Sequence, residues 1–181
     1  MFRLVLCGLT LFLLTAVRCN RVEAAPNNPN GVECTVSTSG LAFGSYNPLS
    51  ASATTANASI TTQCYEVGRG GGGGRGRGQN CNRGCTVPFT LYVSTGDSGT
   101  FSARSMLSGT HSLAYNIFTD ATYSVIVGNG TGGSETLSGI VNLSGRALTG
   151  ETVETVYGRI PAAQNANPGQ YTDTLTITVE Y

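Results

Sequence analysis

The sequence predicts an all-β chain, an immunoglobulin-like antiparallel β-sandwich that lacks its final strand and carries a long Gly-Arg loop. Three observations carry this expectation. From Val32 onward, apolar and polar residues alternate with a period of two, the pattern of strands with one buried face. Turn signals such as Gly96-Asp97-Ser98-Gly99, Gly128-Asn129-Gly130 and Asn167-Pro168-Gly169 punctuate the alternating runs. Beyond the first 24 residues no window sustains a 3.6-residue period, so helices have no claim on the chain.

Residues 1–24 stand apart. Met1-Phe2-Arg3, the apolar run Leu4 to Val17 and the exit Val22-Glu23-Ala24 have the charge, apolar stretch and small-residue end of a secretory signal peptide. The run is shorter than the roughly 20 residues a spanning helix needs. The expectation is therefore a secreted chain with no membrane insertion after processing. Cleavage after Ala24 leaves 25–33 as a short polar segment and 34–181 as one β-sandwich domain, a length suited to a single core.

Within that domain Val32, Cys34 and Val36 share one face of a first strand, and Ile60 and Cys64 one face of a second. Phe89, Leu91 and Val93 alternate with Thr90, Tyr92 and Ser94 in a third, and Leu113, Tyr115 and Ile117 mark another. Val125 to Val127, Leu137 to Leu143 and Thr152 to Ile160 are less regular apolar runs. Tyr171 to Tyr181 has the cleanest alternation, with Leu175, Ile177, Val179 and Tyr181 on one face and Thr174, Thr176, Thr178 and Glu180 on the other. This strand runs to the last residue, where a complete sandwich of this kind has one more strand beside it. The expectation is an acceptor edge and groove at Leu175, Ile177, Val179 and Tyr181.

The composition agrees. It is poor in charge, at 11%, against the usual quarter, and it has no Trp and no Lys. The net charge of zero hides a division. Arg69, Arg75, Arg77 and Arg83 fall within residues 67–85, while the remainder of the processed chain is acidic. Gly68 to Gly78 is Gly and Arg alone, cannot bury apolar surface, and reads as a flexible insertion between the second and third strands. With Cys7 and Cys19 leaving in the leader, Cys34, Cys64, Cys81 and Cys85 form an even set that reads as disulfides in an oxidising compartment, with three possible connectivities. Shared inward parity favours Cys34 with Cys64, leaving Cys81 with Cys85 inside the loop.

Several short patterns invite chemistry and do not support it. Gly96-Asp97-Ser98-Gly99 is similar to a serine-protease nucleophile motif, but the lone His111 follows the serine and the domain is too small for two barrels, so a hairpin turn is expected. Without Lys there is no P-loop. Cys81 and Cys85 with one distant His make a poor zinc site, and no metal or cofactor is expected. Glu151 and Glu154, at odd spacing on a strand, fall on opposite faces. No enzyme is expected. The arginines of the insertion suit a polyanion, although no aromatic residues interleave them for base stacking.

A resemblance sharpens the reading. Tyr157-Gly-Arg-Ile-Pro-Ala-Ala-Gln164 followed by Gly169 to Tyr181 resembles the C-terminal signature of the spore coat protein U family, which includes the pilins of archaic chaperone-usher pili. Cys34 to Ser37, Leu41 to Tyr46 and Leu113 to Asp120 resemble the same family, so the likeness covers nearly all of 34–181. It implies a fold lacking its last strand, a periplasmic chaperone that lends one, an outer-membrane usher, and assembly with other pilin or coat subunits by donor-strand complementation. It also implies passage through the periplasm to the cell surface, a fimbrium or a spore coat. Two features depart from it: the insertion at 67–85, and a segment before Cys34 that carries Pro26 and Pro29 where alternating apolar residues would be needed to donate a strand. Val127-Gly128 stands where the family has Trp-Gly. The expected function is a secreted structural subunit of a surface fibre or coat. The alternative is an adhesive or fibre-tip module whose basic loop contacts extracellular polyanions in a biofilm.

Overall fold

The computed structural model describes residues 31–67, 84–144 and 148–181, together with the backbone of three short N-terminal strands. In chain order the strands are β1 (Leu6–Phe12), β2 (Leu14–Cys19), β3 (Val22–Glu23), β4 (Val32–Thr38), β5 (Thr54–Glu66), β6 (Cys85–Val93), β7 (Ser105–Ser108), β8 (His111–Ala114), β9 (Asn116–Phe118), β10 (Ile126–Val127), β11 (Ser134–Glu135), β12 (Leu137–Leu143), β13 (Thr149–Ile160) and β14 (Tyr171–Glu180). They form the expected all-β sandwich. One sheet runs β12-β6-β14-β1-β2, with the β7–β8 hairpin attached to β14; the other runs β11-β10-β9-β13-β5-β4-β3. The ladders are antiparallel except the short β10–β11 pair.

The core lies between the sheets and follows the period-two parity. Val32, Cys34 and Val36 of β4, Ala58, Ile60 and Cys64 of β5, Phe89, Leu91 and Val93 of β6, and Leu175, Ile177 and Val179 of β14 are all buried. Each large aliphatic side chain removed from water contributes about 1.5–3 kcal/mol, which is why a one-residue slip of any of these strands is strongly disfavoured. Glu151 is exposed while Glu154 is half-buried on the alternate parity, as their spacing requires.

Two expectations need revision in detail. Leu113, Tyr115 and Ile117 are all buried, but on two strands rather than one: β8 belongs to one sheet and β9 to the other, and the chain crosses at Tyr115. The backbone N–H of Tyr115 still donates to the carbonyl of Arg104 (2.9 Å), one position beyond the Ser105–Ala114 pair of β7 and β8, before the chain enters β9. Parity survives the crossing, so alternation alone could not reveal it. Gly96 to Ser98 is a 3₁₀ turn, not a hairpin turn, because the strands on either side of it, β6 and β7, both pair with β14. Gly96 has φ 70°, and a Cβ there would collide with the carboxylate of Asp173. Only glycine lets the turn come that close.

Strand directions define two ends. At the Cys34 end lie the starts of β4, β6 and β13 and the finishes of β5 and β14; at the Tyr46 end lie the finish of β4, the start of β5 and the start of β14. Three of the segments that carry the family resemblance, 41–46, 113–120 and 157–164, meet at the Tyr46 end. The Tyr46 hydroxyl donates to the Pro161 carbonyl (3.1 Å) and accepts from Gln164 N–H (2.7 Å). The Gln164 side-chain amide bonds both backbone groups of Ala114, at 2.8 Å each, as a neighbouring strand would. Leu41 and Phe43 press on Gly158 so closely that a Cβ there would fall within 2.6–2.7 Å of them.

Candidate strand-acceptor site

β14 is rich in Thr, Ile, Val and Tyr and free of Gly and Pro, a composition suited to a pleated, half-buried strand. Its odd-numbered residues from Tyr171 to Val179 are buried and the intervening threonines half-buried. The two edges of this strand meet different partners. On the first, Ile177 to Glu180 pair with Val93 to Thr90 of β6. Ser94 continues this contact, donating its N–H to the Thr176 carbonyl (2.9 Å) and accepting from Thr176 N–H at its hydroxyl (2.8 Å). Thr172 then meets Leu107 of β7. On the second edge β1 runs antiparallel from Leu6 opposite Thr176 to Leu11 opposite Tyr171. Cys7, Leu9 and Leu11 stand opposite the buried Leu175, Asp173 and Tyr171. β2 folds back along the outside of β1.

Of the residues expected to line an acceptor edge, Leu175 lies in the stretch that β1 covers. Ile177 and Val179 are buried beyond Thr176, where the β1 ladder stops. Tyr181 is partly buried against the core, and its hydroxyl meets the backbone of Cys34 in the opposite sheet. Burial pushes this phenol up from its ordinary value, partly offset by the Cys34 contact. The last residue thus ties β14 to β4.

Cys34 and Cys64 are directly opposite on β4 and β5 and are joined by a disulfide across 30 residues. Closing such a loop stabilises a fold by about 3–4 kcal/mol in the chain-entropy description. Cys85 is also disulfide-bonded. Cys81 and the arginines Arg69, Arg75, Arg77 and Arg83 lie outside the described residues. The described ends of the insertion are fixed at the Cys34 end, where Val67 N–H donates to the Gly31 carbonyl (2.6 Å). Ser98 Oγ sits between the carbonyls of Thr95 (3.0 Å) and Thr100 (3.1 Å), and the His111 ring meets the Asn167 amide. Neither residue is arranged for nucleophilic catalysis. Among the described residues no group of His, Cys, Asp or Glu is placed to hold a metal ion, and no helix is long and apolar enough to cross a membrane.

Sequence reasoning missed a buried polar knot that fastens β14. Arg104 is fully buried. Its guanidinium donates to the Ser94 carbonyl (2.7 Å), the Val127 carbonyl (2.8 Å) and Asn116 Oδ1 (2.8 Å), and it lies 5.2 Å from the centre of the Phe101 ring. One side chain therefore binds the end of β6 to β9 and β10 in the facing sheet. Nearby, Asp173 of β14 accepts from the Tyr115 hydroxyl (2.6 Å), Asp97 N–H (2.9 Å) and Thr174 N–H (2.7 Å). Burial lowers Arg104 to about 10, opposed by the nearby Tyr115 and Asp173, and holds the Tyr115 phenol well above its ordinary value, reinforced by the Asp173 carboxylate. A buried charge is tolerated only when such partners satisfy it. One signal was visible beforehand: Asp173 shares the parity of Leu175 and Ile177, an acid on the apolar face of the most regular strand.

Beside this region, at the Tyr46 end, a largely apolar cleft of about 530 Å³ is lined by Tyr46, Pro48, Leu113, Pro168 and Tyr171 among others. No curated protein matches the chain. The family model of the Spore Coat Protein U domain matches residues 27–178, spanning both sheets, the disulfide and nearly all of β14. The β-sandwich, with one edge of β14 paired by Leu6–Phe12 from outside the matched residues, is thus that of a member of the Spore Coat Protein U domain family.

Proposed function

We propose that the chain is a secreted structural subunit of a surface fibre or coat, completed by a strand added to the free edge of β14. Family membership already makes it a pilin- or coat-type subunit in general terms. One observation carries the finer reading. Among the described residues β6 and β7 pair with one edge of β14, and the other edge is taken by Leu6–Phe12, which lies in the segment read as a removable leader. Removing that segment leaves the backbone groups of Tyr171, Asp173 and Leu175 that face β1 unpaired, a surface suited to strand addition. Leu175, Ile177, Val179 and Tyr181 provide the inner wall of the groove. A periplasmic chaperone and an outer-membrane usher are the partners this assembly needs, followed by neighbouring subunits.

Hydrogen exchange on the processed chain, residues 25–181, tests the reading. The expected result is rapid exchange at Asp173 and Leu175 together with aggregation, both relieved by an added strand. A stable monomer with full protection from Leu175 to Val179 would overturn it.

A second reading rests on where the insertion is rooted. Val67 and Gly84 place its ends at the Cys34 end, away from the cleft and the family-signature loops. In this reading Arg69, Arg75, Arg77 and Arg83 contact polyanions while the body assembles. Deleting Gly68 to Gly78 discriminates: intact assembly with lost adhesion supports the binding module, and lost assembly supports a structural role for the loop.

A further inference from the structure

We propose that the cleft at the Tyr46 end is a binding site for a neutral saccharide, an uncharged sugar of one or two rings. This goes beyond the strand-addition reading and is independent of it, since the cleft takes its shape from loop residues 44–48 and 166–170 packed over Leu113 and Tyr171.

Size and walls are the first support. The cleft holds about 530 Å³, inside the range of roughly 300–1,000 Å³ typical of small-molecule sites. Leu113 and Tyr171, both buried, form its floor, and Tyr46, Pro48, Ala166 and Pro168 its sides. The two phenols have their hydroxyls engaged elsewhere: Tyr46 bonds Pro161 and Gln164, and Tyr171 donates to the Asn167 carbonyl (2.9 Å). What the rings offer the cleft is carbon, a surface on which the C–H face of a pyranose packs.

The mouth supplies the second. Ser45, Asn167 and Gln170 stand exposed there. Each can donate and accept a hydrogen bond, the dual capacity that sugar hydroxyls match. Asn167 Nδ2 lies 2.9–3.0 Å from the His111 ring nitrogens, so this amide is held in place. Among the described residues that line the cleft none is charged. An ionic ligand would enter without a counter-charge, whereas a neutral one carries no such cost. An aliphatic chain would use the walls but not the three polar side chains at the mouth.

Both sides of the cleft are fixed before any ligand arrives, which is the third support. Asn47 accepts from Leu49 N–H at its Oδ1 (3.0 Å) and from Ser50 N–H at its carbonyl (3.1 Å), closing the turn that carries Pro48. Across the cleft, Gly169 lies so near β7 that a Cβ there would fall 2.5 Å from Ser108 Oγ. Pro48 and Pro168 stiffen the two loops further. A preformed site spends little free energy on ordering itself around a ligand.

Saturation-transfer NMR on the exported protein, as monomer or assembly, tests this with cellobiose, maltose and N,N′-diacetylchitobiose as probes. Digalacturonate and a polyproline peptide serve as comparators. At least one neutral disaccharide should receive saturation, undiminished at high salt and after deletion of Gly68 to Gly78. Asn167→Ala combined with Gln170→Ala should weaken its binding about tenfold or more. Ala166→Phe, which fills the cleft, should abolish it. Should those variants not be exported, Gln170→Ala alone, on an exposed side chain, should still weaken binding about threefold. The proposal is overturned if no neutral disaccharide receives saturation, if the substitutions leave binding unchanged, or if binding is confined to the uronate or the peptide. Fibre or coat assembly of the same variants, read by electron microscopy, reports on the strand-addition reading separately from the sugar result.

Discussion

Along one edge of β14 the backbone meets β6, Ser94 and β7; along the other it meets β1, which precedes the residues matched by the family. The first edge is held by more than its ladder. Arg104 anchors Ser94, Asp173 anchors the turn at Asp97, and Gly96 gives that carboxylate room. The other edge is paired by the backbone ladder from Leu6–Thr176 to Leu11–Tyr171. Fastening of this kind on the β6 side holds β14 in place in the fold whichever strand pairs its second edge.

The largest test of this contrast is Ile177→Asp. Ile177 is buried opposite Val93, so an unpaired carboxylate there should cost about 4 kcal/mol or more and unfold much of the population. Thr178→Asp, on the other parity, should cost little. Equal losses in denaturant titrations of the two variants would mean that the parity assigned to β14 is wrong.

Next comes Arg104→Ala, expected to destabilise by about 3–5 kcal/mol because it removes the guanidinium donors to the Ser94 and Val127 carbonyls and one of the two donors to Asn116 Oδ1. Exchange should rise first at Thr176 and Thr178, whose N–H groups lie on the β6 side. If Asp173 and Leu175 loosen first, the fastened edge has been misidentified.

A smaller effect should appear at alkaline pH. Tyr115 has a folded value well above 10, so its neutral form contributes stability that is fully present below pH 10 and lost as pH rises towards the folded value. Tyr115→Phe should therefore be about 1.5–3 kcal/mol less stable at pH 7, having lost the bond to Asp173, and the two proteins should converge above pH 10. Arg104, lowered to about 10, contributes the opposite slope, but it does so in both proteins. Urea midpoints at pH 7 and pH 11 give the comparison; a constant difference would remove the titration argument.

The smallest change is Thr62→Val. Thr62 Oγ1 is buried without a hydrogen-bond partner among the described residues, on β5 and away from either edge of β14. The isosteric substitution should stabilise by about 1 kcal/mol and leave exchange at both edges in the same order. Destabilisation in thermal unfolding would show that the hydroxyl has a partner in solution.

Much of this was legible because alternation is local. The inward parity of Cys34, Cys64, Leu91 and Leu175 is a property of each strand alone, and burial follows it. The crossing at Tyr115 was illegible for the same reason: leaving one sheet for the other does not disturb a period of two. The Gly-Asp-Ser-Gly turn was recognisable as a turn, but its purpose depends on Asp173, 77 residues beyond Gly96, coming to rest beside that glycine.

The sequence by itself determined the sandwich class, the inward face of each major strand, the favoured Cys34–Cys64 pair and the family likeness, since each depends on residue order over short spans or on motifs. Tertiary structure alone decided which edge of β14 the domain keeps for itself. That depends on Arg104, Asn116, Ser94 and Val127 meeting in one buried place, and on β1 returning to pair with a strand more than 150 residues away. Long-range meetings of polar groups leave no periodic trace in a sequence, because desolvation and hydrogen bonding select them only once the sheets have packed.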